Sequence, residues 1–276
     1  MRHTSAFDAL LALIAGVVFV FLALPIVSLF TQVSLADLPH LWSAKPVREA
    51  IWVTLRTNLV ANAAILLFGT PTAFFLATRR FPGRAALVTL TELPLVLPPA
   101  VAGIALLASF GRGGLLGPVL QDNGIVLPFT QWAVVVAVTF VAAPFYLRQG
   151  IAAFEAVDPR LVEASRTLGA GPWRTFRRVS LPLATSGLAA GWVLAFARGL
   201  GEFGATIIFA GSVVGQTQTF TLAIYDQMNI TFDVAIALGI LLVVLSAIVL
   251  ASYKIISSWR TSASRSPIPF AASTSI

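Results

Sequence analysis

The sequence predicts an all-α polytopic membrane protein of about six transmembrane helices. Three observations carry this expectation. Hydrophobic residues make up 58% of the 276 and charged residues only 11%, whereas a soluble domain carries roughly 25% charged residues. Six segments are apolar over the length of about 20 residues that a helix needs to cross a bilayer core. The basic residues also alternate between loops, as expected when loops on one side of a membrane collect Lys and Arg.

The first segment, Ala9–Thr31, has an apolar run longer than the core of a signal peptide, about 7–15 residues. No small-x-small cleavage site follows it, so it is expected to be retained. The others are Ile51–Thr78, Ala85–Ser109, Gln131–Phe154, Ala184–Ala210 and Val234–Tyr253. With the N-terminus inside, the inner side collects Arg2, Arg79, Arg80, Arg84, Arg148, Arg160, Arg166, Arg174, Arg177, Arg178, Lys254, Arg260 and Arg265. The outer side holds only Lys45, Arg48, Arg56 and Arg112, and Arg198 lies within a span. Both termini are therefore expected in the cytoplasm.

One domain results. Residues 1–50 form a first helix and an outer loop, residues 51–256 the membrane core, and residues 257–276 a Ser-, Thr-, Ala- and Pro-rich tail expected to be disordered. The net charge of +7 is topological. The arginines sit beside apolar spans and build no basic face, so nucleic-acid binding is not expected. The chain has no cysteine, and its two histidines, His3 and His40, are isolated. No disulfide, metal site or cysteine nucleophile follows. No internal repeat is visible, which weighs against a secondary transporter.

The fourth connection, Leu147–Leu183, is the informative one, and its loop proper is residues 155–183. Asp158 suits an N-cap, and Pro159 suits the first helical position, where a missing N–H costs nothing. A short helix is expected from Pro159 to about Leu168, stopped by Gly169 in a left-handed conformation. Gly171-Pro172 starts a second short helix through Trp173, Phe176 and Val179, which Leu181-Pro182 is expected to break. The product is an arginine-rich helix–turn–helix at the membrane surface. Chemistry alone leaves two roles open, anchoring to anionic lipid or docking a soluble partner.

Glu163-Ala164, then Gly169, Val179 and Leu181-Pro182, resemble the EAA loop of ABC importer permeases of the type I, binding-protein-dependent class. The strings Thr54–Asn58, Pro94–Pro99, Phe110–Gly117 and above all Ala197–Thr206 resemble its molybdate branch, and the GEFGAT string, Gly201–Thr206, is shared with tungstate and sulfate permeases. The resemblance implies that Arg160–Pro172, with Glu163, Ala164, Arg166, Gly169, Ala170 and Pro172, couples to an ATPase. It also implies a second permease copy, a homodimer by default, two ATP-binding subunits and a periplasmic substrate-binding protein, in a bacterial inner membrane. The cargo expected on this resemblance is an oxyanion, molybdate first, with tungstate or sulfate as alternatives. No GxxxxGK[ST] string occurs in the chain. The chain is therefore expected to hold no cofactor of its own, with ATP and Mg bound by the partner. An ion-coupled secondary transporter or channel is the rival class.

Several membrane residues are candidates for the pathway or its gate. Arg198 and Glu202, at i and i+4, are expected to share one face of the fifth span, beside Gly201. Gly187, Gly191, Ala195 and Gly199 form a small-residue stripe for close helix packing, along which gate helices would slide. Pro94, Pro98 and Pro99 are expected to break the third span. Asn58 and Asn62, again at i and i+4, offer amide groups to an oxyanion or to a neighbouring helix. Thr54, Thr57, Ser109 and Thr206 offer hydroxyls.

Overall fold

A computed structural model describes residues 6–34 and 36–263. The described residues form thirteen α-helices and one π-helical stretch, and no strand. In chain order the helices are α1 (Ala6–Gln32), α2 (Leu38–Ser43), α3 (Lys45–Thr78), α4 (Arg84–Val96), α5 (Pro99–Phe110), α6 (Gly117–Asp122), α7 (Gln131–Glu155), α8 (Pro159–Thr167), α9 (Pro172–Thr175), α10 (Leu181–Leu200), α11 (Gly204–Phe209), α12 (Phe220–Gln227) and α13 (Phe232–Ala263). The π-helical stretch is Phe176–Ser180.

Five helical stretches are long and apolar enough to cross a membrane, and the bent pair α4–α5 makes a sixth if it is taken as one span. Residues 7–28 of α1 are exposed on every side, although the helix is apolar all round. Such a surface is compatible with lipid and not with water.

One expectation about the spans is narrowed and two are corrected. The third span is broken at Leu97 and Pro98, and the chain changes direction there by 117°. Pro98 and Pro99 account for this, since neither can donate a backbone hydrogen bond, but Pro94 lies inside α4 without ending it. The fifth span is not one helix over Ala184–Ala210. It stops at Leu200, and α11 begins at Gly204. At its other end Leu181-Pro182 does not break the helix. Pro172–Leu200 is continuous, and the π-helical turn at Phe176–Ser180 lies immediately before Pro182. A ring at 182 removes one i→i−4 bond and crowds the preceding turn, and the wider π turn accommodates both. The expected C-terminal tail is helical as far as Ala263, and the remainder lies outside the described residues.

The single domain expected from the sequence separates into two compact units, each assembled from three chain segments. The first combines the segment ending at Ala61 with Leu97–Val138 and Leu200–Leu245. Its core includes Val47, Ala50, Phe220, Ala223 and Leu238. Nearby, Val33, Leu38, Ile236, Ala237 and Ile240 form a second cluster, where the Trp42 indole N–H donates to the Ala237 carbonyl at 2.9 Å. The second unit combines Asn62–Val96 with Thr139–Gly199 and the segment from Ser246. Its core is built on Ile65, Leu76, Tyr146, Phe154 and Leu188, and the Tyr146 hydroxyl is 2.6 Å from Thr70 Oγ1.

Small residues let helices of the second unit approach closely. A Cβ at Gly187 would lie 2.5 Å from Ala153 Cβ, and one at Gly191 would lie 2.9 Å from Gln149 Cβ. The Gly187 and Gly191 positions of the stripe are thus occupied by α7 of the same chain, in an interlock that does not suit sliding. Gly187→Ala is expected to destabilise the protein by about 1–3 kcal/mol through overpacking. Ala153→Gly in the same chain should recover much of the loss. Thermal midpoints of the detergent-purified variants measure this, and equal loss in single and double variants would contradict it.

Candidate functional site

The arginine-rich loop is built by local signals. The Asp158 side chain accepts a hydrogen bond from Arg160 N at 2.9 Å, capping α8, and Pro159 fills the first position. At the other end Gly169 has φ +81°. Gly169 N donates to Arg166 O and Ala170 N to Ser165 O, the paired bonds of a Schellman stop. Gly171 then caps α9, with Pro172 in its first position. A side-chain contact ties the two helices, since Ser165 Oγ lies 3.2 Å from Thr175 Oγ1, and Thr175 is buried. Val162 and Ser165 turn inward, whereas Glu163, Ala164 and Arg166 are exposed.

The loop presents apolar surface outward. Leu168 is 88% exposed and Trp173 69%, and the Trp173 ring stacks on Phe176 at 5.6 Å between centroids. Arginines thus stand beside an exposed Leu and Trp on a preformed turn, and aromatic residues and Arg are residue types enriched where proteins bind each other.

The second candidate region lies in the first unit, around the turn Gly201–Phe203. Glu202 is 2% exposed, and its carboxylate accepts from Ala205 N at 2.8 Å at the start of α11. The expectation that Arg198 and Glu202 share a helix face is therefore corrected, since α10 ends between them. The Glu202 carboxylate thus caps the start of α11, the end of a helix where an acidic side chain is favoured. Its backbone carbonyl accepts from the Thr221 hydroxyl.

α11 is packed closely on α5. A Cβ at Gly204 would lie 2.4 Å from Pro99 Cβ, and one at Gly103 would lie 2.8 Å from Ile208 Cβ. Pro98 and Pro99 thus do more than break a span, because they form the N-terminus of the helix against which the GEFGAT string is seated. Gly201, by contrast, has open space where a Cβ would go.

The polar candidates fall into groups. Thr54 Oγ1 accepts from Phe220 N at 2.8 Å at the start of α12. Thr57 and Ser109 bond to their own helices. Asn58 and Asn62 are both buried on α3. Thr206 is fully buried, and among the described residues its hydroxyl has no hydrogen-bond partner. The connection between α11 and α12 is itself tightly built, with Asp226 Oδ2 accepting from Ser212 Oγ and from Gln218 Nε2.

Sequence reasoning missed two ion pairs in the second unit. Arg84 bonds to Glu155, and Arg148 lies 3.9 Å from Glu92. Both join α4 to α7. The signal was present: Arg84 and Glu92 are two turns apart on one helix, and Arg148 and Glu155 are two turns apart on another, in the charge order that antiparallel helices require. Glu92 and Arg148 also make a second pair of opposite charges within the expected spans, beside Arg198 and Glu202.

Residues 65–261 match the family model described as the binding-protein-dependent transport system inner membrane component. The chain belongs to this family. The match contains both the arginine-rich loop and the GEFGAT string. Among curated relatives, the molybdenum transport system permease protein ModB of Mycobacterium bovis is 44% identical over 241 residues, 86% of this chain and 89% of the relative. ModB of Escherichia coli (strain K12) is 43% identical over 185 residues, 67% of this chain and 81% of the relative. The sulfate transport system permease protein CysT of the same strain is 36% identical over 237 residues, 85% of each chain. A chain in the crystal structure of a bacterial alginate ABC transporter, in complex with a pentasaccharide-bound periplasmic protein, matches with a TM-score of 0.72 at 20% identity. That match covers 93% of this chain and 95% of the other, and it shows the fold. As a member of the inner membrane component family, the chain is a membrane-embedded transport permease.

Proposed function

We propose that this permease imports a tetrahedral oxyanion, molybdate in the first place, using ATP hydrolysed by a separate subunit that docks on Arg160–Pro172. The carrying observation is that loop: a capped helix, a Schellman stop and an outward Leu168–Trp173 face, all formed within one chain. The cargo rests on the two relatives named as molybdenum permeases. A homodimer with two ATP-binding subunits and a periplasmic binding protein completes the assembly, with both termini cytoplasmic and with ATP and Mg held by the partner.

The coupling follows from continuity. A push on α8 reaches α9 through the Ser165–Thr175 contact. From there it travels along one unbroken helical stretch, Pro172–Leu200. α10 is interlocked with α7 at Gly187 and Gly191, so the movement is carried as a packed block. The π turn at Phe176–Ser180 is the point on this route where the helix is widened.

Uptake of labelled molybdate, tungstate and sulfate by cells expressing the complete transporter tests the cargo. Molybdate uptake that excess sulfate does not suppress is expected. Sulfate uptake without molybdate or tungstate uptake would overturn the choice of anion and leave the permease assignment intact.

A further inference from the structure

A cleft of about 690 Å³ opens in the second unit between the end of α3, the Arg79–Gly83 turn and the arginine-rich loop. Its lining is divided. Phe74, Phe154 and Phe176 make an aromatic floor, with ring centroids 4.6 to 6.2 Å apart. Arg79, Arg80 and Arg166 stand around it, and among the described residues none of the three makes an ion pair. Two carboxylates also line it. Glu155 is held by Arg84, whose Nε is further fixed on Leu76 O, so that pair is closed on itself. Glu163 is the one carboxylate left against the three remaining arginines, so the lining carries a positive excess.

We propose that this cleft binds the headgroup of an anionic phospholipid. A phosphate diester matches arginines that have no partner of their own. The aromatic floor takes the glycerol end of the acyl chains. The height fits as well, because Arg79 follows the last residue of the spanning helix α3. Glu163 and Arg166 belong to α8, so an occupied cleft holds the docking loop at a fixed height relative to α3. The site depends on neither the cargo nor the ATPase assignment.

Native mass spectrometry of the full-length chain in detergent, titrated with phosphatidylglycerol or phosphatidylcholine, tests this. The wild type is expected to retain phosphatidylglycerol in preference to phosphatidylcholine. Arg79→Gln with Arg80→Gln should weaken phosphatidylglycerol binding by about thirtyfold, the effect of two basic residues beside the headgroup, and leave phosphatidylcholine unchanged. Arg177→Gln with Arg178→Gln removes the same charge outside the cleft and should change binding little. Arg79→Lys with Arg80→Lys keeps the charge and should keep most of the affinity. Equal loss in the two Gln pairs would reduce the effect to diffuse surface charge and overturn the site. So would unchanged retention in the Arg79/Arg80 Gln variant. Displacement of the lipid by inorganic phosphate at equal concentration would overturn the lipid assignment in favour of a free anion.

Discussion

Gly169→Val is expected to abolish coupled transport while leaving the protein in the membrane. The residue has φ +81°, a conformation that a β-branched side chain resists strongly. It also supplies the stop that turns α8 back toward α9 through the bonds to Arg166 O and Ser165 O. Strain of about 1–3 kcal/mol at such a position is larger than the four-residue turn between α8 and α9 can absorb without changing shape. The exposed Leu168 moves with it, because it immediately precedes the glycine. Transport and binding-protein-stimulated ATP hydrolysis should fall together, by about tenfold or more. Gly169→Asn, which tolerates positive φ, should retain most of both. Full coupling in the Val variant would contradict the role given to this turn.

The second large effect is expected at Gly204. There a Cβ would meet Pro99 Cβ at 2.4 Å and Pro99 C at 3.1 Å. Neither a proline ring nor a backbone carbon can swing aside, so α11 would have to leave α5. Gly204→Val should cost about 3 kcal/mol or more and sharply reduce the yield of monodisperse protein. Gly201→Ala, three residues earlier in the same string, meets open space and no positive φ, and should be close to neutral. Size-exclusion profiles of the two variants side by side check this. Equal yields would mean that the α5–α11 seat is not rigid.

The contrast between those two glycines marks where sequence reading was strong and where it was not. The loop from Asp158 to Pro172 was legible because every signal in it is local: a cap accepts from a backbone group two residues on, and a left-handed glycine acts on its own turn. The GEFGAT turn was not. Phe203, Ala205, Ile207 and Ile208 continue the apolar pattern past Leu200, so hydropathy extends the span across a place where the backbone has left the helix. A buried acid flanked by glycines at 201 and 204 is the available clue that the helix ends there. Arg84–Glu155 and Glu92–Arg148 were missed for the opposite reason. Charges 71 and 56 residues apart meet only through tertiary packing, and only the matched two-turn spacing on both helices hints at it. The small-residue stripe was correctly read as a packing face, but its partner, α7 of the same chain, is not encoded in the stripe itself.

The central claim is that a separate ATPase docks on the α8–α9 loop, and a single-cysteine crosslink tests it most directly. The chain has no cysteine of its own, so each introduced thiol is unique. Leu168→Cys places one at a side chain 88% exposed on the docking face, and Leu24→Cys places one on the exposed apolar surface of α1. In membranes carrying the complete transporter, a short thiol-to-amine crosslinker should join position 168 to the nucleotide-binding subunit, with the yield changing on ATP addition, and should leave position 24 unlinked to that subunit. Absence of that product at position 168 while the two chains co-purify, or an equal yield from position 24, would contradict the claim.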